Sequence, residues 1–144
     1  MAPAKGSGPN PDEITEWITT TYTETVVALA MGATFFSLDA RHWPNFATIV
    51  TTDEHDMGSP SDLARPGVFR LNIGVGKATF ERLVGGIAHP DYAALDRVIP
   101  HPVYWKQRWI AILNPSRRTF DEIVKPLIDE AHERLARPRR RRAG

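Results

Sequence analysis

Between Pro100 and Val124 the chain reads PHPVYWKQRWIAILNPSRRTFDEIV, which places His101, Tyr104, Trp105 and Trp109 within nine residues beside Lys106 and Arg108. Guanidinium groups grip phosphate or carboxylate through paired hydrogen bonds, and aromatic rings stack on bases or cover apolar ligand surface. Such a mixture suits a planar or anionic partner. A second stretch adds Arg65, Arg70 and Asn72. There Phe69, Leu71, Ile73 and Val75 alternate with Val68, Arg70, Asn72 and Gly74. In a strand this turns Arg70 and Asn72 away from the apolar face. The candidate ligand-binding set is therefore Arg65, Arg70, Asn72, His101, Tyr104, Trp105, Lys106 and Arg108. These residues are expected to gather over the uncovered side of a sheet. The plainer alternative is that Trp105 and Trp109 are core residues whose rims the cations solvate.

A second group, Asp53-Glu54-His55-Asp56, lies in a long polar loop over residues 53–67, and His42, His89 and His101 stand elsewhere. Loops of this length in compact domains tend to be functional or disordered. Oxygen ligands with one His could hold a divalent cation if a second His joined them. A His beside a carboxylate could also act as a general base. The spacing matches no zinc or hydrolase signature, and a solvated acidic loop explains it as well. No metal, cofactor or catalytic residue is assigned, and whether the chain is an enzyme stays open. Gly74-Val75-Gly76-Lys77 lacks the spacing of a phosphate loop, and Ala78 stands where its hydroxyl should be. His132 is expected to be exposed on the last helix.

The elements that must position these groups follow from patterning. Asn10 suits an N-cap, Pro11 the first helical position, and Asp12 and Glu13 the positive end, giving a helix over 11–22. Strands are expected at 26–31, broken by Gly32, and at 34–38 and 46–52, a hairpin joined by residues 39–45. The clearest strand is 68–75, followed by a helix over 77–84 that Gly85-Gly86 stops. Residues 87–104 read as mostly irregular, with one or two helical turns near 91–97. Trp109 to Leu113 is apolar on both faces, as in a central strand. Thr119 and Glu122 form a capping box for a last helix, which Pro126 should kink.

Composition sets the frame. The chain has 144 residues, 42% hydrophobic and 24% charged, which fits one soluble globular domain over about 11–136. It has no cysteine, which excludes disulfides and thiolate chemistry. Residues 1–10, rich in Gly, Pro and Ala, form no apolar signal region and are expected to be disordered. The longest apolar run, 26–31, is too short to span a bilayer, so a cytoplasmic location is expected. Residues 12–64 hold nine acids and one cation, whereas residues 65–118 hold nine cations and three acids. That asymmetry fits either an anionic partner or internal pairing. Residues 137–144 carry five arginines, Arg137 and Arg139 to Arg142, and read as a disordered tail able to meet phosphates or an acidic surface.

The order of helix, antiparallel strands, helix, strand and helix, with FATIVTTD, FRLNIGV, YWKQRWIAIL and TFDEIVKPLIDEAHERLA, resembles the MmcQ/YjbR-like family. These are small α+β domains sometimes described as double-wing DNA-binding proteins. GATFFSLD, RPGVFRLNIGV and HPVYWKQRWIAILNPS are more specifically similar to an uncharacterised actinobacterial family of unknown function. The resemblance implies an α+β fold of YjbR-like (CyaY-like) order, an antiparallel sheet with helices mainly on one face. It also implies a non-enzymatic binding module, with nucleic acid or another anionic planar ligand as partner. Two alternatives stand beside it. One is a small-molecule enzyme or ligand-binding domain using the Asp53–Asp56 loop and His101. The other is a protein-interaction domain whose exposed sheet edge pairs with a partner.

Overall fold

A computed structural model describes residues 8–143. The first helix, α1 (Pro11–Thr21), starts as its sequence dictates: Asn10 accepts from the Glu13 amide, and the Glu13 carboxylate accepts from the Asn10 amide. This reciprocal pair satisfies two amides that the first turn leaves free. Ile14 and Ile18 then bury one face. Residues 8–10, expected to be disordered, are placed, with Pro9 buried; residues 1–7 lie outside the described residues.

Strands β1 (Val26–Ala30) and β2 (Ala33–Ser37) pair in a hairpin turned by Met31 and Gly32, with φ of 48° and 77°. Positive φ at both central residues is the geometry that matches the strands' own twist. Gly32 therefore does not merely end a strand; it makes the turn. A β-carbon there would sit 2.6 Å from Cγ2 of Thr52. Gly32→Ala should cost roughly 1–2 kcal/mol, read as a lower urea midpoint with an unchanged slope. An unchanged midpoint would mean that residues 51–52 yield freely.

The chain continues through β3 (Asn45–Val50), β4 (Arg70–Gly74), α2 (Lys77–Val84), β5 (Val98–Pro100) and β6 (Trp109–Leu113). The last helix, α3, joins a turn at Arg117–Thr119, a π turn at Phe120–Val124 and the long segment Lys125–Ala143. All six strands form one antiparallel sheet in the order β1-β2-β3-β4-β6-β5. The fold is thus α+β, and the helices pack on one face. Strand alternation sends Phe36, Ile49, Leu71, Ile73, Ile110 and Ile112 into the core beneath the helices.

The other face is not uncovered, as the charge pattern had suggested. Ala33, Val50, Leu63, Ile99, Ala111 and Leu113 form a second apolar cluster there. Its roof comes from the 53–67 segment, held down by buried Leu63, whose amide donates to Asp53. Arg65 staples that segment to the next loop, donating to the carbonyls of Ser61 and Ala93 at 2.9 and 3.0 Å.

Two further expectations are corrected, for β5 and for the cap of the last helix. Residues 98–100, read as irregular, form β5, whose Pro100 fits because an edge strand has no need of its missing amide. The last helix is capped by Ser116, whose Oγ accepts from the Thr119 amide, so Thr119 lies inside the first turn. At Pro126 the amide of Lys125 reaches back five residues to Phe120, and this wider turn makes room for the proline ring. The arginine tail is helical through Ala143, moored by Arg139 to Asp39 and by Arg137 to Glu133.

Candidate functional site

The face away from the helices carries a cavity of about 530 Å³. Its floor is built by strand residues with odd-one-out chemistry: Arg70 and Asn72 of β4 and Thr48 of β3. Cross-strand pairing sets Thr48 beside Asn72, and the Asn72 amide donates to Oγ1 of Thr48 at 2.9 Å.

Arg70 organises the floor although only 1% of it is exposed. Its Nη1 donates to Oδ2 of Asp56 at 2.6 Å and to Oγ of Ser61 at 3.0 Å. Its Nε donates to Oδ1 of Asn72 at 2.9 Å, and Nη2 reaches Oδ1 of Asp56 at 3.4 Å. Asp56 is itself 6% exposed. A buried cation is tolerable only when paired and hydrogen-bonded. Asp56 meets that need because Thr52 caps the short turn Asp53–His55 and so delivers the following carboxylate inward. The acidic loop is therefore anchored to the sheet through buried Asp56, Ser61 and Leu63, while Glu54, His55 and Met57 stay exposed.

His101 follows β5 and is 3% exposed. Its Nδ1 accepts from the amides of Val103 and Tyr104, both at 3.0 Å. Burial first, and the Arg70 charge second, push its pKa down to about 3. The ring is therefore neutral, and with Nδ1 accepting, the proton resides on Nε2. That nitrogen lies 3.5 Å from Arg70 Nη2, so two donors face each other and neither satisfies the other.

Aromatic walls complete the cavity. Phe35 comes from β2, Trp109 from β6, and Trp43 and Tyr104 from loops, the last two 71% and 54% exposed. Trp109 pairs across from Gly74, where a β-carbon would come within 3.0 Å of the indole. The missing side chain lets the indole lie close to the sheet.

Of the eight candidate residues, Arg70, Asn72, His101 and Tyr104 line this cavity. The other four do not. Arg65 is spent on loop carbonyls, and Trp105 stands 45% exposed with Lys106 over its ring at 5.5 Å. Arg108 is exposed at the left-handed end of the turn Trp105–Gln107. The candidate cations are thus not gathered at this cavity, and Arg70 is neutralised by a carboxylate from the acidic first half. Sequence patterning missed Trp43, Asn45, Thr48 and Gln107 as lining residues. Only Thr48 had a signal, a polar position alternating with Ala47 and Ile49 in a buried strand.

The acidic loop does not assemble a metal or base site. Asp53 accepts from Leu63, Asp56 holds Arg70, and His55 Nε2 bonds to the Met31 carbonyl at 2.8 Å. Among the described residues no cluster of three His, Asp or Glu side chains is placed to hold a metal ion. The glycine stretch before α2 is likewise occupied: Glu130 takes the Gly76 amide and the Thr79 hydroxyl, both at 2.8 Å. His132, expected to be exposed, is buried four residues after Ile128, stacked on Tyr22 at 4.1 Å and bonded to Glu24. Among the described residues no helix is long and apolar enough to cross a membrane.

Residues 9–144 match the model of a family described as a family of unknown function (DUF6194). No curated protein and no solved structure matches the chain.

Proposed function

The chain belongs to the DUF6194 family of unknown function, and on that premise we propose that it is a binding module for a small planar molecule seated in the sheet-face cavity. The carrying observation is the enclosure of a polar floor by four aromatic side chains from separate elements. A few fixed polar groups within mostly apolar walls is the usual build of a small-molecule site. His101 acts here as a donor and not as a base, because Nδ1 already accepts from two amides and the proton resides on Nε2. The floor carries one cation and one anion in contact, so it offers a polyphosphate backbone no net attraction. Nucleic acid is accordingly not the partner that this cavity fits.

A library of uncharged aromatic fragments, followed by amide and indole NMR signals, tests this reading. Hits should move the Trp109 and Trp43 indole signals and the amides of Thr48 and Tyr104. Tyr104→Ala, at a half-exposed wall position, should weaken such hits by about ten-fold while leaving the thermal midpoint within about 2 °C. If no fragment perturbs the cavity at millimolar concentration, the reading fails.

A further inference from the structure

We infer that the cavity selects an uncharged carboxamide-type group, a planar C=O beside an N–H, and discriminates against carboxylates of the same shape. This rests on the small-molecule reading above and deepens it.

The donor side comes from valence counting. Arg70 has five N–H bonds, and four meet Asn72, Ser61 and the two oxygens of Asp56. The fifth is directed toward His101 Nε2, which cannot accept because its own proton resides there. Two convergent donors therefore lack an acceptor, in a place where an unmade bond is costly. A carbonyl oxygen between them would satisfy both. Thr48 adds a third donor to the floor, since its oxygen already accepts from Asn72 and its hydroxyl proton remains free.

The acceptor side comes from Asn45, at the start of β3. The residue lines the same cavity, and its Oδ1 is buried with no hydrogen-bond partner. A ligand N–H would supply one. Charge then chooses between amide and acid. The cavity's one cation, Arg70, is already matched by Asp56, and His55 and His101 are its other ionisable nitrogen bases. A carboxylate entering would bring an unmatched charge out of water and would lack the N–H that Asn45 needs. A neutral amide meets both demands.

The experiment uses the whole chain with benzamide, benzoate and N,N-dimethylbenzamide as probes, titrated at pH 7 and followed by the Trp109 indole signal. Benzamide should bind at least about ten-fold more tightly than either of the others, because buried polar groups left unpaired penalise the wrong ligand. Asn45→Ala removes no bond from the fold, since Oδ1 makes none. It should abolish the advantage of benzamide over the dimethyl compound and reduce that over benzoate to the part due to charge. Benzoate binding as tightly as benzamide would overturn the inference while leaving the cavity as a binding site. So would silence from all three probes when other fragments bind. A library without any cavity hit would instead remove the underlying reading.

Discussion

Asp56→Ala should destabilise the protein by about 3–5 kcal/mol, the largest single loss expected outside the hydrophobic core. The mutation leaves Arg70 charged and 1% exposed, with Ser61 and Asn72 as its remaining acceptors and no counter-charge. For a chain of this length the thermal midpoint should fall by roughly 10–20 °C. Asp56→Asn, which keeps an acceptor but loses the charge, should fall between. The double variant Asp56→Leu with Arg70→Met should recover much of the loss, because a packed apolar pair often matches a buried ion pair in stability. The two single effects would then be strongly non-additive, as contacts sharing one network are. A loss below about 1 kcal/mol for Asp56→Ala would mean that water reaches Arg70, and the neutral floor would have to be abandoned.

The second large effect is a dependence on pH from His101. In the unfolded chain an imidazole has a pKa near 6.5; in the fold burial and then the Arg70 charge push it down to about 3. Between those values the unfolded chain binds a proton that the native chain refuses. Stability is therefore complete above pH 6.5 and falls as pH drops toward 3, by up to about 1.4 kcal/mol per pH unit. The interval from pH 6.5 to 5 separates imidazoles from carboxylates, which titrate mainly below it, and comparison with a His101 variant separates His101 from the other four histidines. Urea midpoints measured across that interval should decline for the parent protein. They should decline distinctly less for His101→Gln, each protein being referred to its own value at pH 7. Parallel slopes for the two proteins would show that His101 takes its proton within the fold, and its role as a fixed donor would be lost.

Local signals were readable where neighbours in sequence are also the physical partners. Asn10, Pro11 and Glu13 announce α1 because capping uses residues three apart. The alternation around Leu71 and Ile73 correctly turned Arg70 and Asn72 away from the helices, because side-chain direction in a strand has period two. The helix at Lys77–Val84 was equally plain between its glycines. Reading failed where partners are distant. Nothing near Arg70 in sequence says that Asp56, fourteen residues earlier, folds over to meet it. The polar composition of 53–67 suggested solvation, yet one leucine and one aspartate suffice to anchor that segment on the sheet. Four of the eight candidate residues line the cavity, with Arg70 as their one cation, and alternation alone does not show that this cation belongs to a neutral floor and not to a charged surface. Strand β5 was missed because three residues ending in proline carry too little periodicity to register.

The vacancy at Gly74 has a consequence for what this protein fold could accommodate. Because no side chain lifts the Trp109 indole, the ring rests low and leaves headroom above it. Position 74 thus works as a shim. A methyl group would raise the ring by tenths of an ångström, and a branched side chain would tip it into the space a guest occupies. Chains that differ at this one site would differ in the thickness of molecule they admit, with every polar contact left as it was.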